Sequence, residues 1–279
     1  MPGSRTRRIR RRSSDPPPLG AAAARLGGLR EPAGDLLYLI QRHSRDATAV
    51  DAGWGISVAG AAIFCAVAGP GDLSHRVLIA ILAGFENLRV AWVVVRRFGH
   101  GEDTRYRELR ERWAARGREQ LTFAIFYQAQ ASFAPLLGIP FALAAFNRHP
   151  GLAPIEWAGA ALWVVAVTFE TVADRQLAAF RADPANRGRT MRSGLWRYSR
   201  HPNYFFQSVT WLAYALIATA APFGYLGFLS VALILYLIVF VTGIPPIEER
   251  ALKTRGEDFR RYQRETSPFV PWFPRTGRL

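Results

Sequence analysis

The chain has a single cysteine, Cys65, so it can form neither an intramolecular disulfide nor a cysteine-based metal site. Lysine is as scarce: Lys253 stands alone among 36 Lys and Arg residues. With abundant Ala and Gly, that arginine bias points to a GC-rich, bacterial coding sequence. A Walker loop, GxGxxG after a strand, HExxH and GxSxG are all missing. His43, His75, His100, His149 and His201 have no short metal-ligand spacing, and no metal is assigned. An apolar stretch after the basic start is also lacking, since RTRRIRRRSS runs into DPPPLG. Residues 1–34 are therefore neither a signal peptide nor core. They read as a basic disordered tail that contacts anionic lipid, as a topology determinant, or as a misassigned start.

A formal charge of +15 would fit a nucleic-acid partner, but the basic residues alternate with long apolar runs instead of forming one stripe. No nucleic acid is expected. Half of the 279 residues are hydrophobic. A helix needs about 20 residues to cross a hydrocarbon core of about 30 Å. Six stretches meet that need, at about 52–69, 77–95, 121–146, 153–173, 204–221 and 223–245. The expectation is an all-α, polytopic transmembrane bundle over residues 35–279, too full of spans for a Rossmann domain. Pro222 and Gly224 mark a tight turn between the last two spans.

Basic residues number 10 in 1–50, 8 in 96–118, 7 in 175–200 and 8 in 246–279, whereas the opposite loops hold only Arg76 and Arg148. Short arginine-rich loops stay in the cytoplasm, so both termini are expected there. Two loops and the tail (246–279) then converge on one face, where chemistry is to be sought.

The strongest local pattern on that face is GLWRYSRHPNYFFQ, residues 194–207. Pro202 forces a bend, leaving Arg200 and His201 on the approach and Asn203 and Tyr204 in the first turn of a helix. Free N–H groups there, with Arg197 and Arg200, suit anions, and an interfacial Trp-Tyr-Arg anchor is the plainer reading. In FETVADRQLAAFR, Glu170 and Asp174 lie four residues apart on one helix face with Arg181 beyond. Carboxylates at membrane depth normally face protein or a wet cavity and mark function, salt bridging to the arginines being the alternative. In GFENLRVAW, Glu86 and Arg89 lie one turn apart, either as a structural pair or with Glu86 as a proton donor.

Weaker signals are GHGEDTRYRELRERW, read as a solvated or interfacial segment around Glu102, Asp103 and Tyr106, and Tyr127, Gln128 and Gln130 as packing groups in the third span. Pro245 and Pro246 are expected to stop the sixth helix, with a short charged helix and an aromatic, proline-rich end folding back to the interface. There Glu248 and Glu249 either cap the tail or close over a ligand.

With VDAGWG, EDTRY, FETVADRQL, GLWRYSRHPNY and EERALKTRGEDFRRYQRETSPFVPWFP in this order, residues 49–274 resemble the DUF1295 group of steroid 5-alpha-reductase-like membrane proteins. RHPNY with the Glu pair and the tail is also similar to isoprenylcysteine carboxyl methyltransferases. The reductase resemblance implies NADPH entering from the cytoplasm, held at Asp174, Arg181, Tyr198, Arg200, His201, Asn203 and Tyr204. It further implies hydride transfer to an enone of a steroid-like or prenyl-like lipid drawn from the bilayer, with Glu86 polarising the carbonyl. Two departures stand out. Gln207 replaces the family's glutamate, and the segment around LREPAGDLLYLIQRH is too short and charged for the additional span that relatives carry. The methyltransferase resemblance implies S-adenosylmethionine at the same residues, and a non-catalytic lipid-binding relative is the third class.

Overall fold

The structure, a computed structural model, describes residues 30–95 and 101–275. Most of the basic N-terminal tail and the arginine pair at 96–97 lie outside the described residues. Among those described the protein is all-helical, with an isolated bridge between Ser199 and Ser267 as its strand-like contact. Helices α1 (Arg30–Ser44), α2 (Ala49–Ala68) and α3 (Leu73–Val95) are followed by α4 (Thr104–Ala114). Next come α5 (Glu119–Leu137), α6 (Ile139–Phe146) and α7 (Pro154–Ala182). Then follow α8 (Pro202–Ala218), α9 (Phe228–Tyr236), a π turn at Leu237–Val241 and α10 (Ile244–Glu265).

Among the described residues, four stretches are long and apolar enough to cross a membrane: Val50–Ala68, Glu119–Phe146, Pro154–Ala182 and Gly224–Glu265. The protein is therefore read as integral to a membrane. The two other expected spans fall on α3, which carries Glu86 and Arg89, and on α8, which has 17 residues.

Close helix pairing positions the interior. A Cβ at Gly55 would lie 2.7 Å from the Asn87 carbonyl oxygen, so the α2–α3 crossing requires glycine. At Gly159 it would meet Ile217 Cγ1 at 2.7 Å and the Ala213 carbonyl at 3.1 Å, which brings α7 onto α8 in the same way. Trp211, Tyr214, Phe141 and Trp163 fill the space between these pairs. One end of the bundle is closed by a buried pair, His75 Nδ1 to Glu156 Oε1 at 2.6 Å, with His75 Nε2 at 2.8 Å from the His149 carbonyl.

Three sequence expectations are corrected. Residues 102–106 are not a solvated connector. Tyr106 is buried and donates to Asp51 Oδ1 at 2.6 Å, Glu102 accepts the Ala47 N–H at 2.9 Å, and Asp103 N–H donates to Thr48 Oγ1 at 2.8 Å. These bonds tie the segment to the start of α2. Pro245 and Pro246 open α10 instead of stopping the sixth helix, which ends in the π turn before Gly243. Proline in a first turn loses no helical hydrogen bond. The helix that follows is long, 22 residues, kinked at Gly256 where φ is +50°.

Candidate functional site

Where α3, α7 and α8 meet, one guanidinium faces two carboxylates. Arg89 Nη2 donates to Glu86 Oε1 at 2.9 Å and Nε to Glu86 Oε2 at 3.2 Å. The same Nη2 reaches Glu170 Oε1 at 2.8 Å. Glu86 and Glu170 are each 5% exposed. The i, i+3 spacing of Glu86 and Arg89 makes the first pair local, whereas the second exists only because α7 crosses α3. Tyr214 lines the pocket from α8, but its hydroxyl is engaged, accepting from Trp163 Nε1 at 2.9 Å and donating to the Leu82 carbonyl at 3.3 Å. Phe85 packs edge-on against Trp163 at 6.1 Å.

One turn along α7 the environment turns polar. Asp174 is exposed, and its Oδ1 accepts from Asn203 Nδ2 at 3.0 Å. This joins the end of α7 to the first turn of α8. Arg181 and Tyr198 are exposed nearby in the fold, while Tyr204 and Gln207 are half-buried on α8. Phe169 and Phe206 stack at 5.1 Å beneath this rim.

Arg200 and His201 face a different way. Arg200 grips Glu248 of α10 with two bonds, Nε to Oε1 at 2.7 Å and Nη2 to Oε2 at 3.2 Å. Its Nη1 donates to the Gln263 and Thr266 carbonyls at 3.0 and 2.8 Å. His201 Nε2 sits 3.0 Å from Glu248 Oε1, and its ring lies parallel to Tyr204. Gln263 adds a further bond to Glu248 Oε2 at 2.7 Å. The tail then runs back along residues 196–201: Arg200 N–H donates to the Ser267 carbonyl at 2.8 Å and Trp272 N–H to the Tyr198 carbonyl at 2.9 Å. Ser199 Oγ donates to the Phe269 carbonyl at 2.7 Å, and the buried Tyr262 hydroxyl donates to the Trp196 carbonyl. Glu248 is thus the tail's cap, whereas Glu249 pairs with exposed Lys253 at 2.6 Å.

Residues 37–266 match the family described as "Protein of unknown function (DUF1295)". The chain belongs to the DUF1295 family. No curated protein and no solved structure matches it. In this DUF1295 chain the residues that the reductase resemblance assigns to a cofactor divide into two groups. Asp174 and Asn203 meet where α7 joins α8, with Arg181 further along α7 and Tyr204 and Gln207 on α8, whereas Tyr198, Arg200 and His201 contact the tail. The exposed donor set fits a dinucleotide in kind: guanidiniums for phosphate, with Asp174 and Asn203 for hydroxyl and amide groups.

Sequence reasoning missed several positioning residues. Gln176 Oε1 accepts the Leu195 N–H at 2.9 Å and Trp196 Nε1 donates to the Ala173 carbonyl at 2.9 Å, pinning the loop before Arg197 to α7. Gly194, at φ +59°, supplies the left-handed bend this requires. Arg110 was also overlooked as a hub, with Glu102 at 2.7 Å and Glu119 at 2.6 Å. A half-buried arginine between carboxylates at i−8 and i+9 leaves no helical spacing to read, so only the packing of α4 on α5 reveals it.

Proposed function

We propose that this DUF1295 chain is a membrane-embedded, NADPH-dependent reductase of an activated C=C bond in a lipophilic, steroid-like or prenyl-like molecule. Six spans with both termini in the cytoplasm of a bacterial inner membrane complete the reading, supported by the arginine bias of alternate loops. The observation that carries it is the pairing of two sites on one helix. An exposed, arginine-flanked polar rim at Asp174 and Asn203 lies one turn from a buried acid cluster at Glu170, Glu86 and Arg89. A reductase needs both: a polar surface to hold a charged cofactor, and a proton source in a dry pocket that a lipid can reach from the bilayer. NADPH would supply a hydride there. The chain's own part is to orient it at Asp174, Asn203 and the exposed arginines, and to provide the proton.

Thermal unfolding of the purified protein with NADPH, NADH and S-adenosylmethionine tests the reading. A ligand at about 100 times its Kd adds about 2.7 kcal/mol of stability. Stabilisation by NADPH that is lost in Asp174→Ala and Asn203→Ala is the expected result. Stabilisation by S-adenosylmethionine alone would make the protein a methyltransferase, and no stabilisation by either would make it a non-catalytic lipid-binding relative.

A further inference from the structure

The Glu86–Arg89–Glu170 cluster does not balance if both carboxyls are ionised. Among the described residues, one guanidinium would then face two nearly buried carboxylates. Two carboxylates sharing one dry site cannot both keep their charge cheaply. The geometry distinguishes them. Glu86 has both oxygens on Arg89, the arrangement of a bound carboxylate. Glu170 offers only Oε1, and its Oε2 is buried with no hydrogen-bond partner among the described residues. Among the described residues, the groups facing Glu170 are Glu86 and Arg89 from α3, Asp174 on its own helix and Tyr214 from α8. Tyr214 cannot serve Oε2, because its proton goes to the Leu82 carbonyl. A bare carboxylate oxygen in that position would be costly, whereas a carboxylic acid carries its own donor there.

We propose that Glu170 is held as a neutral carboxylic acid and is the proton donor of the site, with Glu86 and Arg89 as the clamp that positions it. The presence of the proton rests on the cluster alone, and its use rests on the reductase reading. In that use a hydride adds to the β carbon of an enone and the C=C electron pair moves toward the carbonyl oxygen. The α carbon then takes the proton from Glu170 Oε2. Glu170 is left as a carboxylate and recovers a proton from water at the exposed Asp174 end of α7. The substrate gains one proton from Glu170 and one hydride, which a bound NADPH would supply.

Two measurements on the full-length protein in detergent, without cofactor at neutral pH, test the proton directly. Infrared spectroscopy should show the C=O stretch of a buried carboxylic acid, absent in Glu170→Gln. Dicyclohexylcarbodiimide, which attacks protonated carboxyls in apolar sites, should leave its adduct on Glu170 in the wild-type protein, as mapped by mass spectrometry. No such band, an adduct on Glu86, or an adduct on neither residue overturns the proposal, and these wild-type readouts stand even if the variant fails to fold. NADPH affinity of the same preparation is measured separately by calorimetry. Band and adduct without NADPH binding would keep the acid and remove the reductase; NADPH binding without them would do the reverse. Where both hold, Glu170→Gln should keep NADPH affinity within about twofold and lose turnover by about 10²–10⁴-fold.

Discussion

Arg89 and Arg110 each stand between two glutamates, yet the two clusters teach opposite things. Around Arg110 the acids are well served. Glu102 takes two bonds from the guanidinium and one from the Ala47 N–H, and Glu119 takes one from Arg110 and one from Gln120. Burial works against the Arg110 charge, but the bonds to Glu102 and Glu119 outweigh it and hold the guanidinium above its ordinary range. The Glu119 side chain keeps 24% of its surface exposed. Around Arg89 both acids are nearly enclosed and one oxygen of Glu170 has no donor. Equal composition gives fully served carboxylates in one place and a carboxyl oxygen without a donor in the other. The deciding quantities are solvent access and the number of donors.

That contrast can be broken by substitution. Arg89→Met should have the largest effect, about 3–5 kcal/mol of stability, because it strands two buried carboxyls without a cation. Melting of the detergent-solubilised protein at the wild-type temperature would mean that the pocket is wet. Arg110→Met should cost less, about 2–3 kcal/mol, since water can reach Glu119 once the guanidinium is gone. If it proved the more damaging of the two, the distinction by solvent access would fail. Glu248→Gln weakens the charge-assisted bonds that tie the tail to Arg200 and His201, for about 1.5–3 kcal/mol of local stability. Hydrogen exchange should then quicken across 196–201 and 262–272 while α2 and α3 keep their protection. Glu170→Gln should be the mildest, about 1 kcal/mol or less, because an amide replaces a neutral acid of the same shape. Glu86→Gln should cost more than that, and equal costs would put the proton on either residue without preference.

Much of the bundle was legible beforehand. All six apolar stretches are largely helical, Pro202 opens α8 as its ring requires, and a left-handed Phe223, φ +60°, makes the turn after the fifth stretch. These follow from hydropathy and from proline geometry, which act within a few residues. The 102–106 segment was misread because its partners, Asp51, Thr48 and Ala47, lie some 55 residues away and its charge suggests water. The long α10 was misread because two prolines look like a stop when seen without the helix they start.

The site divides along the same line. Glu86 with Arg89, and Glu170 with Asp174, could be named from i, i+3 and i, i+4 spacing, since a helix places such residues on one face whatever it packs against. The arginine bias of alternate loops likewise follows from the local sequence. That Arg89 serves Glu170 as well as Glu86, and that Arg200 belongs to Glu248, was decided by tertiary structure alone. A guanidinium can satisfy any carboxylate within reach, and only the crossing of α3 with α7, and of α10 with the start of α8, sets which ones are within reach.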